Sequence, residues 1–287
     1  MIIIHPYGGL CNRMRCVDSG VHLARELKRD LTVVWQPTEE LNATFEDLFC
    51  PQDCFDIRTA PPAYLGAIAF GTRLPQRMMR RLLEKAGGLV VLEGRVKERF
   101  LAEDMQAKLA RYRHVYIYSS QRFMYPEVYD AFTPVDRIQR VISAFTRRFD
   151  GRTVGVHIRR QDHETAIQES PLSLFTERIE AELEKAPGTS FFVATDDGAV
   201  KHMLTSRFGT NIITQEAELT RKTQSGVAAA VVDLYALART NVIWGSVGSS
   251  FCETAQYIGG NDLILLRRSN HKDGSSRKND QIVHNVI

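Results

Sequence analysis

Short apolar runs alternate with glycine turns and amphipathic stretches along this chain. Residues 2–4 are apolar and β-branched, which predicts a buried strand over 2–5, and Gly8-Gly9 follow as a turn. From Cys11 to about Lys28, the residues Met14, Val17, Val21, Leu23, Ala24 and Leu27 recur at helical spacing. Residues 31–35 predict a second strand, stopped by Pro37. Strand, glycine turn, helix and strand in that order form a βαβ unit of a parallel sheet. Residues 89–92 and 115–118 are further strand candidates, and 135–149 predict a helix that ends this first half.

Asp150-Gly151 break the pattern, and a second series begins. Strands are predicted at 154–158, 191–194, 211–214, 242–244 and 263–266, with helices at 172–184, 197–208, 227–237 and 251–258. Such regular alternation predicts a doubly wound parallel sheet. The expected division is therefore an α/β domain over 1–149 and a second over 150–287. The polar, basic end from 269 onward is expected to be partly disordered. A length of 287 residues agrees with two domains, at about 150 residues each.

Composition narrows the function classes. The chain is 44% hydrophobic and 25% charged, ordinary for a globular protein. Its 37 basic and 34 acidic residues leave a net charge of +3, too balanced to point to a nucleic-acid partner. The opening Met1-Ile2-Ile3-Ile4 lacks the basic start and longer apolar stretch of a secretory leader. No apolar run approaches the roughly 18 residues of a membrane span, so an intact cytoplasmic protein is expected. Of the five cysteines, Cys50 and Cys54 are close enough for a metal, but no second Cys/His pair completes a set of four ligands.

Polar residues gather where ligands bind in such sheets, beyond the carboxyl ends of the strands. The strand at 154–158 runs into His157-Ile158-Arg159-Arg160-Gln161-Asp162-His163. Side chains alternate along a strand, so His157 and Arg159 share a face and Arg160 points away. A guanidinium donates in a planar fork to phosphate oxygens, which makes this an anion-site candidate. After the strand at 191–194, Asp196 or Asp197 is either a helix cap or a site residue. The turn Gly245-Ser246-Val247-Gly248-Ser249-Ser250 offers N–H groups and hydroxyls to a phosphate, and a serine cap to the next helix. At the front, Gly8-Gly9 allow close approach of the backbone but do not match the dinucleotide fingerprint.

Three blocks together resemble one family. They are Gly8-Gly9-Leu10-Cys11-Asn12-Arg13, then His157-Ile158-Arg159-Arg160-Gln161-Asp162, then Asp233-Leu234-Tyr235-Ala236-Leu237 running through Gly248-Ser249-Ser250-Phe251. The sequence is similar to the superfamily of inverting fucosyltransferases that holds the rhizobial nodulation fucosyltransferase, the core α1,6-fucosyltransferases and the protein O-fucosyltransferases. Residues 50–150 carry no part of the likeness. The resemblance implies two Rossmann-like domains facing across a cleft, the GT-B type, with GDP-fucose held mainly by the second and the acceptor on the side of the first. It implies that Arg159 grips the β-phosphate, that His157 and Asp233 lie near the guanosine with Asp233 reading the guanine edge, and that Ser249 or Ser250 binds phosphate. Gly8, Gly9 and Asn12 would approach from the other domain. No metal cofactor is implied, since arginine supplies the neutralising charge.

Inversion calls for a carboxylate to take the acceptor proton. The position of the core branch's proposed basic glutamate is Ile167 here, which leaves Asp162, Glu164 and Glu169 as nearby alternatives. Residues 73–85 place Leu74, Met78 and Leu82 on one helical face among Arg73, Arg77, Arg80, Arg81 and Lys85. That pattern fits peripheral contact with an anionic membrane or a core helix with a solvated basic face. Nothing in the sequence reads the sugar itself. A glycosyltransferase of this architecture with another nucleotide sugar, or a non-catalytic nucleotide-sugar-binding protein, are the alternatives.

Overall fold

The computed structural model describes residues 1–62, 85, 87–92, 105–161, 164–217, 220–268 and 281–283. It is an α/β protein that divides into two compact units. The first comprises Met1–Val135 with Arg221–Gln224, and the second comprises Asp136–Thr220 with Ser225–Ile287. The basic stretch at 73–85 lies outside the described residues except for Lys85. No helix among those described is long and apolar enough to cross a membrane.

The first unit is built from β1 (Ile2–Pro6), α1 (Leu10–Leu27), β2 (Leu31–Val34), β3 (Asp56–Arg58), β4 (Gly88–Leu92), α2 (Met105–Ala110) and β5 (His114–Ser119). Its five strands are parallel, in the order β3-β2-β1-β5-β4. β1 pairs on both edges and every residue of it is buried, which is why it opens on three isoleucines. Trp35, Phe45, Phe49 and Phe132 form a buried aromatic cluster beside the sheet, with ring centroids 5.2–6.4 Å apart.

The second unit begins with α3 (Asp136–Thr146), the helix expected to close the first. Phe145 on that helix and Phe149 beyond it pack against Phe192, at 5.8 and 5.4 Å between ring centroids. Then follow β6 (Val154–Ile158), α4 (Glu164–Glu169), α5 (Leu172–Lys185), β7 (Phe191–Thr195), α6 (Gly198–Phe208), β8 (Ile212–Ile213), α7 (Gln224–Leu237), β9 (Val242–Ser246), α8 (Ser250–Gly259), β10 (Asp262–Leu266) and β11 (Gln281–Val283). The strand order is β11-β10-β9-β6-β7-β8. All pairs are parallel except β10 with β11. The tail expected to be partly disordered thus contributes an edge strand at Gln281–Val283.

From β6 the chain winds to one side through β7 and β8, then returns to pair β9 with the other edge of β6. That reversal is the topological switch point of a doubly wound sheet, outside which ligands bind. The core behind it is Val154, Val156, Ile158, Phe175, Ile179, Phe191, Val193 and Trp244.

Close helix–strand packing in the first unit depends on Gly20 of α1. A Cβ there would lie 2.5 Å from Cγ1 of Ile4 on β1. Gly20→Ala is expected to cost about 1–3 kcal/mol by overpacking, less up to about 1 kcal/mol of helix propensity. Urea denaturation should show a lower midpoint with unchanged slope. Gly151→Ala, where a Cβ meets nothing within 4 Å, should leave the midpoint in place.

Candidate functional site

β6 carries the first site residue in its buried run. His157 is 5% exposed and stacks on Phe251 of α8, with centroids 4.9 Å apart and planes 19° from parallel. Burial, helped by the charge on Arg159, pushes its pKa down to about 3. The ring is therefore neutral near pH 7, and its Nδ1 is buried without a hydrogen-bond partner. A neutral imidazole keeps one donor and one acceptor nitrogen for a ligand or neighbour.

Beyond Ile158 the chain turns, and one carboxylate organises the turn. Asp196, at the carboxyl end of β7, accepts from the backbone N–H groups of Arg160 at 2.8 Å and Gln161 at 3.2 Å. Its Oδ2 also pairs with Nη1 of Arg159 at 2.7 Å, and that arginine side chain is 20% exposed. From the β9 side, the Arg159 N–H donates to Oγ of Ser246 at 3.1 Å. Arg160 departs elsewhere: its Nη2 donates to the carbonyl of Ser170 at 2.5 Å. The two adjacent arginines thus do different things. Arg159 stands at the switch point and Arg160 ties the turn to the end of α4.

The two adjacent acids also separate. Asp197 caps α6, accepting from Ala199 N–H at 2.8 Å and Val200 N–H at 3.4 Å. Asp196 holds the arginine turn. Their order in the sequence does not say which does which. Ser170 is another residue that the sequence did not single out. Its hydroxyl donates to the Leu266 carbonyl at 2.6 Å and accepts from Val247 N–H at 2.9 Å, joining the ends of β9 and β10 to Arg160.

After β9, Gly248 adopts φ +72°, a left-handed conformation that suits glycine. Ser249 then caps α8, its Oγ accepting from Phe251 N–H at 3.4 Å, and Ser250 is the first helical residue. The serine turn and Arg159 stand at the carboxyl ends of the neighbouring strands β9 and β6. A helix N-terminus beside a guanidinium suits a diphosphate.

Asp233, on the almost wholly buried helix α7, is 2% exposed. Gln215 Nε2 donates to its Oδ1 and, at 2.8 Å, to the Ala229 carbonyl. Burial pushes its carboxyl up to about 7, opposed by the charge on Lys201 and the bond from Gln215.

In the first unit, Gly8 sits at φ +82° and Gly9 caps α1 without a side chain. Asn12 lies under the turn, since a Cβ on Gly8 would come within 3.1 Å of its Nδ2. Arg13 is the anchor: almost fully buried, it donates to the carbonyls of Gly8 at 2.9 Å and Gln36 at 2.6 Å and to Thr38 Oγ1 at 2.7 Å. Arg221–Gln224 also belongs here. Asn42 donates to the carbonyls of Arg221 at 2.9 Å and Lys222 at 2.8 Å, and Gln224 donates to Asp47. Arg221 lies over the turn, its guanidinium carbon 3.9 Å from where a Cβ on Gly9 would stand.

Of the carboxylates considered as a base, Asp162 lies outside the described residues. Glu164 is exposed in the first turn of α4, and Glu169 pairs with Arg267 at 2.9 Å. Ile167 is an exposed apolar residue. Among the described residues, no group of three or more His, Cys, Asp or Glu is placed to hold a metal ion.

No family model matches the sequence, and no curated protein matches it. Solved structures share the fold. The α1,6-fucosyltransferase NodZ of Bradyrhizobium, soaked with GDP-fucose, superposes with a TM-score of 0.63 at 16% identity, over 92% of this chain and 94% of that one. A point variant of Arabidopsis thaliana FUT1 in complex with GDP gives 0.63 at 15% identity, over 94% and 70%. POFUT1 in complex with GDP-fucose gives 0.53 at 13%, over 91% and 94%.

The buried, neutral His157 makes stability depend on pH. Its folded pKa lies below the unfolded value, so the unfolded chain binds the extra proton, and stability falls as pH drops from about 6.5 toward 3. His157→Phe preserves an aromatic partner for Phe251 and removes this proton. The difference in Tm between wild type and the variant should shrink steadily from pH 7.5 to pH 5 by scanning calorimetry. A constant difference would mean that His157 is not buried as the neutral ring.

Proposed function

We propose that this chain is an inverting, metal-independent glycosyltransferase that moves fucose from GDP-fucose to a glycan or glycoconjugate acceptor. The observation that carries the reading is the Arg159 guanidinium, held by Asp196 at the carboxyl end of β6 beside the Ser249-Ser250 turn. The fold is one that fucosyltransferases solved with GDP or GDP-fucose also have. In this reading the two units face each other across a cleft, with the acceptor on the side of the first unit and Gly8, Gly9 and Asn12 of that unit binding the donor. The proposal includes action in the cytoplasm, with peripheral membrane contact through residues 73–85.

The chemistry follows from where charge develops. An acceptor hydroxyl oxygen attacks the anomeric carbon, and the bond from that carbon to the β-phosphate oxygen breaks. The bonding pair leaves with GDP, so negative charge grows on the β-phosphate. Arg159, a Ser249 or Ser250 hydroxyl and the N–H groups opening α8 meet that charge more strongly in the transition state than in the ground state. The acceptor proton passes to a carboxylate, for which Asp162 is one candidate and a carboxylate of the first unit another. His157 stays neutral and lies with Asp233 toward the guanosine.

A thermal-shift panel tests the donor. GDP and GDP-fucose should raise Tm, and UDP, CMP and ADP much less. Equal stabilisation by UDP and GDP removes the guanine assignment. EDTA should leave transfer intact, and loss of transfer restored by manganese would overturn the metal-free mechanism.

Arg159→Ala should abolish transfer and weaken GDP binding. A charge-assisted bond contributes roughly 1.5–3 kcal/mol, so calorimetry should show affinity down about tenfold to a hundredfold. Single-turnover transfer should fall further, because the phosphate charge grows as the sugar leaves. Arg159→Lys should rescue part, since an ammonium keeps the charge without the planar fork. A folded Arg159→Ala that binds GDP and transfers as wild type would place the phosphate site elsewhere.

A further inference from the structure

Asp233 is not alone at the far end of the second sheet. Gln215 follows the edge strand β8 and is itself buried. Its Nε2 has two acceptors, Asp233 Oδ1 and the Ala229 carbonyl, so both amide hydrogens are engaged and the side chain is locked. Lys201, in the first turn of α6, donates from Nζ to the Gln215 backbone carbonyl at 2.9 Å. One residue therefore bridges a cation to a buried carboxylate. We propose that Gln215 and Lys201 are positioning residues for Asp233, fixing one carboxylate oxygen and stabilising negative charge on it, and so set the preference of the site for a guanine base.

This rests on the reading of Asp233 as the residue that meets the base. The placement supports it. β8 lies two strands from β6, where Arg159 stands. The chemistry is selective. Guanine presents two adjacent donors, N1–H and the 2-amino group, and an ionised carboxylate accepts from both. A protonated carboxyl gives up one of those acceptors to its own hydrogen. Adenine and uracil present no such donor pair.

Charge on Asp233 is finely balanced. Burial disfavours it, while Lys201 from α6 and Gln215 from the segment after β8 favour it. Lys201 is itself partly buried, which lowers its own pKa and keeps its charge close to the pair. Removing Lys201 should leave Asp233 protonated near neutral pH.

The test uses the full chain, with Lys201→Met, Lys201→Arg and Gln215→Leu, each checked for folding by near-ultraviolet circular dichroism. GDP, inosine diphosphate (which lacks the 2-amino group) and UDP are titrated by calorimetry from pH 6 to pH 8, where the purine N1–H is retained. A carbon-13 carboxyl titration follows Asp233 without ligand. In wild type, GDP affinity should rise with pH as Asp233 ionises and exceed that of inosine diphosphate. Lys201→Met should move both the carboxyl midpoint and the GDP profile to higher pH, with GDP affinity down roughly tenfold at pH 7 and recovering toward pH 8. Lys201→Arg should restore the wild-type profile. Gln215→Leu should narrow the gap between GDP and inosine diphosphate.

If Lys201→Met titrates and binds GDP as wild type, the positioning role is overturned while the GDP site stands. If wild type does not distinguish GDP from inosine diphosphate or UDP, the reading of Asp233 falls and takes this inference with it, whatever the carboxyl titration shows.

Discussion

A chain leaving the end of a buried parallel strand carries peptide N–H groups that have lost their ladder partners, and such groups are costly to leave unpaired. At the end of β6 the Asp196 carboxylate answers this need. It takes the N–H groups of Arg160 and Gln161 and, with the same two oxygens, the guanidinium of Arg159. The group that closes the turn therefore also aims a cation into the switch point. Ser246 contributes from β9 by accepting the Arg159 N–H, and Ser170 steadies Arg160 from the end of α4. The position of the cation is built into the backbone hydrogen bonding of the sheet end.

The two units use buried charge for different ends. Arg13 in the first unit spends its donors on Gly8, Gln36 and Thr38 and lies against Trp35, its guanidinium carbon 5.5 Å from the ring centroid. It shapes the glycine turn from below. In the second unit, Arg159 stays partly exposed and pairs with Asp196, and His157 gives up charge altogether. The buried Arg13 is thus held by neutral acceptors, whereas Arg159 keeps access to solvent.

Much of this was legible in the sequence, and the reasons are local. β6 is paired on both edges and wholly buried, so it reads as an apolar strand in which His157 stands out, and Arg159 follows directly. The central strands and the long helices declared themselves by period in the same way. The edges did not. β3, Asp56–Arg58, has polar ends and half-buried middle, and β11 lies in a polar tail, so neither carries an apolar signature. The amphipathic pattern of α3 predicted a helix but placed it with the first half, because it does not show that Phe145 and Phe149 meet Phe192 of the second sheet. Asp196 and Asp197 are chemically identical neighbours, and tertiary placement alone separates clamp from cap. Ser170 was silent because a single serine before proline has many ordinary explanations.

The segment Arg221–Gln224 bears on how interchangeable the halves of this protein are. Those residues come late in the chain yet belong by their contacts to the first unit, through Asn42 and Asp47. The genetic stretch encoding the second unit therefore carries a small piece of the first. A chimera that replaced everything after Val135 with the equivalent half of another protein of this fold would also exchange the chain lying over Gly8-Gly9. Recombination between relatives should preserve function best when the crossovers respect that interruption, so that the four residues travel with the half they complete.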